Sequence, residues 1–155
     1  MSKINKIINH IDEPKNYGDM KFKHVCGLIV KGKLVSIGNN HFRNSFNNNI
    51  VPSIHAEIHA LMQYLGSNNV NKFNSHRLKK SDIVVIRKSK NENINQFLES
   101  RPCSECISVL KKVGVRNVYY SNVHGNIIKE CVPCMEPKYI THGNQYLSNK
   151  KNYLD

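Results

Sequence analysis

Two short segments hold residue types that can grip a metal ion and move a proton beside it: His55-Ala56-Glu57 and Pro102-Cys103-Ser104-Glu105-Cys106. Cysteines three apart at the start of a helix face the same way. The free N–H groups and positive end of that helix favour the thiolates that zinc requires. Pro102, just before the turn, fixes φ and gives up no needed donor. His55, from a second helix, completes three ligands and leaves one of the four tetrahedral positions for water, the pattern of a catalytic rather than a structural zinc. Zn2+ with two thiolates and one neutral imidazole is formally neutral, so water there needs a nearby base. Glu57, at a helix start, is that base. Neither half of the pattern carries much signal alone, because a single Cys-x-x-Cys more often marks a redox or structural pair. Their conjunction is specific.

These groups must be delivered by elements that the hydrophobic pattern places in order. Residues 1–20 read as a short amphipathic helix (Ile4, Ile7, Ile8, Ile11) that stops before Pro14, followed by a polar link. Val25–Val30 predicts a strand, Lys31-Gly32-Lys33 a tight turn, and Leu34–Gly38 the returning strand of a hairpin. After a polar loop, a helix starts near Pro52-Ser53, carries Ile54, Ile58, Leu61, Met62 and Leu65, and ends at Gly66. Residues 67–80 read as a basic surface insertion. Ile83-Val84-Val85-Ile86 is a continuous apolar run, as in a strand covered on both faces. A second polar insertion, 87–99, leads to a helix from about Ser104 to Val113 with Gly114 as its cap, and Val115–Tyr120 is a third core strand. The remainder alternates weakly at Ile127, Ile128 and Val132 and ends in an amphipathic stretch and a polar tail, 148–155. The expected organisation is one α/β domain over 21–147, with the N-terminal helix and link before it.

Composition agrees with a single compact domain. The chain has 155 residues, long enough to bury a core without staples. Its five cysteines, an odd number, argue against a disulfide framework. No apolar run is long enough to span a bilayer, and Met1-Ser2-Lys3-Ile4-Asn5 lacks a signal-peptide core, so no membrane partner and a cytoplasmic location are expected. The formal charge of +12 attracts phosphate-bearing ligands, nucleic acid included. The excess is mostly lysine, alongside abundant Asn and Ile, as nucleotide bias in a genome would also produce.

From about Cys26 to Ser121 the chain resembles the cytidine and deoxycytidylate deaminase superfamily. The resemblance rests on the His-x-Glu and Pro-Cys-x-x-Cys signature, the hairpin Leu28–Gly38 followed by Asn40, and the segment Gly114-Val115-Arg116-Asn117-Val118-Tyr119-Tyr120. It implies a three-layer α-β-α fold with a five-stranded mixed sheet, a Zn2+ cofactor, homo-oligomers, and hydrolytic release of ammonia from an aminated base. It further implies that Asn40, with Asn39 as second choice, contacts substrate at the hairpin end; Ala56 and Arg101 are the other substrate-binding candidates. Histidine at the first ligand position is similar to the deoxycytidylate, riboflavin-pathway, guanine and tRNA adenosine branches, whereas small cytidine deaminases use cysteine. A free nucleotide or nucleoside of the deoxycytidylate kind is the expected substrate. Editing of a base in RNA or single-stranded DNA, or a silent zinc-binding protein, are the alternatives.

Several secondary features stay open at this level. Arg101 stands where other branches carry a small or acidic residue, and reads either as a rim contact to a substrate phosphate or as a solvated cation. Cys131 and Cys134, with His124 and His142, have spacing that permits a second, structural zinc, but the pair is as readily incidental. His59 reads as a pocket-edge or surface residue. Phe42, Phe46 and Tyr64 could stack on bases or simply pack, and Lys79-Lys80 reads as solvated.

Overall fold

The computed structural model of the chain describes residues 3–11, 22–40, 55–66, 78–89 and 97–136. Helix α1 spans Lys3–Ile11, strands β1 and β2 span Phe22–Val30 and Lys33–Asn39, and helix α2 spans Ala56–Leu65. Strand β3 (Ser81–Ser89), helix α3 (Ser104–Val113), and strands β4 (Asn117–Ser121) and β5 (Ile127–Cys131) follow, and a 3-10 turn at Val132–Cys134 closes the described part. Phe42, Phe46, His142, most of the 67–80 insertion and the 148–155 tail lie outside the described residues.

The five strands form one mixed sheet in the order β2-β1-β3-β4-β5. β1 pairs antiparallel with β2 and β3, β3 runs parallel to β4 through the α3 crossover, and β4 and β5 make an antiparallel hairpin. Alternation along the strands sorts their side chains onto two covered faces. On one, Ile7 and Ile11 of α1 pack with Val25, Val84 and Ile86. On the other, Cys26, Leu28, Ile83, Val85 and Val118 meet Ala60, Leu61 and Leu65 of α2 and Ile107 and Leu110 of α3. The result is the expected α-β-α sandwich. The continuous apolar run Ile83–Ile86 follows from it, because β3 is central and all four residues are buried.

Two details of the core fix where the helices sit. At Gly38 any Cβ would collide with the backbone of Ala56 and Ala60, so only glycine lets α2 lie this close to β2. Ser36 Oγ then donates to Ala60 O at 2.8 Å, locking the helix to the strand. α3 ends as its sequence predicts. Gly114 is left-handed (φ 87°), and its N–H and that of Val115 both return to Leu110 O. That cap uses Val115, so β4 begins at Asn117, two residues later than the apolar pattern suggests.

β5 has no strong sequence signal. It is an edge strand whose residues are exposed or half-buried in strict alternation, so only Ile128 joins the core. No helix among the described residues is long and apolar enough to cross a membrane.

Candidate active site

The parallel strands β3 and β4 point their C-terminal ends toward the starts of α2 and α3, and there the two sequence segments converge. His55 is the residue immediately before α2, in extended conformation (φ −75°, ψ 154°). Cys103 has the same place and conformation before α3 (φ −72°, ψ 170°). Cys106 lies one turn into α3. The helix expected from Pro52-Ser53 is described only from Ala56; residues 52–54 lie outside the described part.

His55 Nδ1 stands 3.5 Å from Cys103 Sγ and 3.4 Å from Cys106 Sγ. All three donor atoms lie within 4.8 Å of one another, and among the described residues this is the one group of three or more metal-ligating side chains so gathered. A tetrahedral zinc with bonds of about 2.3 Å to sulfur and 2.0 Å to nitrogen separates S from N by about 3.5 Å. The donor set therefore fits zinc in type and in spacing.

The fourth member of the sequence pattern is in contact. Glu57 is 4% exposed, and its Oε2 accepts from Cys106 Sγ at 3.5 Å. It sits in the first turn of α2, where a carboxylate complements the helix dipole.

The charges of the cluster are interdependent. Burial foremost pushes the Glu57 carboxyl up. The hydrogen bond to Cys103 raises His55 to about 9 against the opposing effect of burial, with the Glu57 charge adding to the rise. Cys103, hydrogen-bonded by Cys106, falls to about 4, while Cys106 is raised by that same bond and by burial.

The loop that presents Cys103 is tied to the sheet. Ser100 Oγ donates to Val85 O at 2.7 Å and meets Ser121 Oγ at 2.8 Å, and Ser100 N donates to Ser121 O at 2.8 Å. These bonds join the middle of β3, at Val85, and the end of β4, at Ser121, directly to Ser100, two residues before Pro102.

The substrate-binding candidates fall differently. Asn40 is 9% exposed, with its amide spent on β1: Oδ1 accepts from His24 N and Nδ2 donates to Phe22 O, each at 2.9 Å. It extends the hairpin ladder and holds the strand ends at the site. Ala56 is fully buried as the first residue of α2, which leaves its backbone N–H, unpaired within the helix, as its polar group. Asn39 N donates to His59 Nδ1 at 3.0 Å, and His59 Nε2 meets Gln63 Nε2 at 2.9 Å, so His59 bridges α2 to the end of β2.

Arg101 corrects the sequence reading. It is no solvated cation at a rim: its side chain is 3% exposed. Nη2 contacts Glu130 Oε2 at 3.2 Å and donates to Glu136 O at 2.6 Å. Tyr120 Oη donates to the other Glu130 oxygen at 3.2 Å. Arg101 braces β5 and the segment after it against the metal loop, and β5, unread in the sequence, is what draws the side chain inward.

The second-zinc expectation also meets geometry. Cys131 and Cys134 are exposed, and their thiols lie side by side. His124, however, sits in the β4–β5 turn, whereas Cys131 pairs with Asn117 at the far end of that hairpin. His124 is therefore no ligand for the pair, and His142 lies outside the described residues.

Arg87 corrects the insertion read over 87–99: β3 runs on to Ser89, so Arg87 is a strand residue, paired with His24 of β1 on the face of the sheet that carries Cys26 and Val85.

Similarity to known proteins points the same way. A family model described as "Cytidine and deoxycytidylate deaminase zinc-binding region" matches residues 3–122. No protein of curated function matches the sequence. Among solved structures, the chain is similar to a cytidine deaminase from Burkholderia pseudomallei (TM-score 0.57, 17% identity, covering 90% of this chain and 100% of that one). It is also similar to the dCMP deaminase of cyanophage S-TIM5, in apo form (TM-score 0.45, 19% identity, 79% and 86% covered) and in complex with dCMP and dUMP (TM-score 0.44, 19% identity, 79% and 84% covered). The first of these shares the five-stranded α-β-α fold. With the family match running through both ligand segments and the gathered donors suited to zinc, the chain belongs to the cytidine and deoxycytidylate deaminase zinc-binding family.

Proposed function

We propose that the protein is a hydrolytic deaminase that converts cytosine in a small nucleotide or nucleoside, deoxycytidylate by preference, to the keto base with release of ammonia. His55, Cys103 and Cys106 are the zinc ligands and Glu57 the proton carrier. The observation that carries this reading is the buried Glu57 carboxylate in contact with Cys106 at the edge of the three-donor cluster. A structural zinc needs a fourth protein ligand and has no use for such a carboxylate.

His55, Cys103 and Cys106 would hold the zinc ion, which when bound would lower the pKa of a water molecule and so supply the nucleophile. Glu57 takes one proton from the attacking water and delivers it to the ring nitrogen beside the amino-bearing carbon. The new C–O bond forms as the C–N bond weakens. Glu57 then carries the second proton to the departing amine, so that water and the amino base become carbonyl and ammonia. Enclosure of Glu57, Ala56 and Cys106 keeps bulk water from competing for those protons.

A second reading, a deaminase acting on a base within a polynucleotide, is favoured by the net charge of +12. Ammonia release from the zinc-loaded protein, measured over free bases, nucleosides, nucleotides and short oligonucleotides with Glu57→Ala as blank, separates them. Turnover of free deoxycytidylate supports the first reading. Turnover confined to oligonucleotides, falling steeply with salt, replaces it with the second.

A further inference from the structure

Two thiols outside the zinc cluster meet at the end of β5. Cys131 is the last residue of that strand, paired with Asn117, and Cys134 is the last residue of the 3-10 turn that follows. In such a turn, side chains three apart lie over one another, and their Cα atoms come within about 7 Å, a span that a disulfide can close. Both cysteines are exposed and free. They are in contact: the hydrogen bond with Cys131 foremost raises the Cys134 thiol, against the opposing charge of Lys111. Among the described residues no third metal-ligating side chain joins them.

The turn is held from both sides, so the two thiols stay together. Val132, between them, is fully buried, and its N–H donates to Arg116 O at 2.9 Å. Met135 N donates back to Val132 O at 3.1 Å, and Met135 O accepts from Lys111 Nζ at 2.8 Å. Pro133 fixes its own φ. Beside Pro133 opens a cavity of about 450 Å³ that Lys79, Lys111 and Arg116 also line, with no acidic residue among its described walls. Arg116 is balanced by Asp82 and Lys111 bonds a neutral carbonyl, so the cavity keeps a net positive charge.

We infer that Cys131 and Cys134 form a redox-active dithiol, closed to a disulfide by exchange with a small anionic disulfide that docks in the neighbouring basic cavity. One cysteine, as thiolate, attacks a sulfur of the incoming disulfide; an S–S bond to the protein forms and the first small thiolate leaves. The second cysteine gives up its proton and attacks the sulfur of the first, closing the internal S–S bond and expelling the second small thiolate. Two protein thiols are oxidised, one small disulfide is reduced, and the two protons end on the released thiols. The charge of Lys111 favours the attacking thiolate and, with Lys79, draws the anion in. Cys26, fully buried, does not compete.

The test treats the zinc-loaded full chain with oxidised glutathione, which carries net negative charge, then alkylates the remaining thiols and maps them by mass spectrometry. Wild type is expected to lose two alkylatable thiols as one internal Cys131–Cys134 disulfide, reversed by reduced glutathione. Cys131→Ser and Cys134→Ser are each expected to stop at a mixed disulfide. At low salt, oxidised glutathione should react at least about 10-fold faster than uncharged hydroxyethyl disulfide, each rate divided by that with free mercaptoethanol, and salt should shrink the difference. Thiols that stay alkylatable in wild type, or that halt at the mixed disulfide, overturn the dithiol. Equal normalised rates overturn the anionic partner. A second equivalent of zinc that protects both thiols from oxidation overturns the proposal in favour of a metal site.

Discussion

His55 and Cys103 stand 48 residues apart in sequence, yet each is the extended residue immediately before a helix, and their donor atoms meet at 3.5 Å. Both helices thus aim their starts, with unpaired N–H groups and positive dipole ends, at one point. A thiolate placed there gains from both. It follows that Cys103→Ala removes a zinc ligand without filling its space. The variant is expected to bind well under one-tenth the wild-type zinc by elemental analysis, and to melt at lower temperature. The zinc-linked stabilisation it forfeits is about 4 kcal/mol when free zinc exceeds its Kd by 1,000-fold. Unchanged zinc content would remove Cys103 from the ligand set.

Glu57 contacts the cluster through Cys106 and offers no bond that His55 or Cys103 needs for its position. Glu57→Ala should therefore keep a full equivalent of zinc while deamination falls by about 10²- to 10⁴-fold, the range for loss of a general acid–base group. Turnover within a few fold of wild type would mean that another group moves the protons.

The cluster of His55, Cys103 and Cys106 was legible in sequence because a metal site demands particular side chains at particular intervals, and short intervals survive folding unchanged. The helices, the hairpin and β3 were legible for a similar reason: their apolar periods state which face is buried. What the sequence concealed depends on contacts between distant segments. β5 shows little periodicity because an edge strand buries only one residue well, Ile128. Arg101 was open to two readings, a rim contact to a substrate phosphate or a solvated cation, because nothing nearby in the chain reveals Glu130, 29 positions on, as its partner. Asn40, marked by resemblance, proved to spend its amide on the backbone of Phe22 and His24, a role visible only once β1 and β2 are paired.

That buried brace can be broken from one side. Arg101→Met fills the space but strands the Glu130 carboxylate, which also accepts from Tyr120. Because Glu130 remains 31% exposed, the cost is below that of a fully enclosed pair, about 1–3 kcal/mol. Urea denaturation of the zinc-loaded protein should show the midpoint falling at unchanged slope, and Arg101→Met combined with Glu130→Gln should recover part of the loss. Equal stability of wild type and single variant would make the contact incidental.

Acid should unfold the protein partly through His24. Its folded pKa lies near 3, depressed mainly by burial, whereas the unfolded imidazole titrates near 6.5. Between those values the unfolded chain holds a proton that the folded one does not. Stability is therefore complete above about pH 6.5 and falls as pH drops toward 3. At about 1.4 kcal/mol per unit, one unit of acidification below 6.5 costs up to about 1 kcal/mol from this group alone. His24→Gln, which cannot take up that proton, should lose less melting temperature between pH 7 and pH 5 than wild type does. The comparison isolates His24, because every other titrating group is common to both proteins. Parallel melting curves across that interval would show that the imidazole is hydrated in the folded protein and that burial does not hold it neutral.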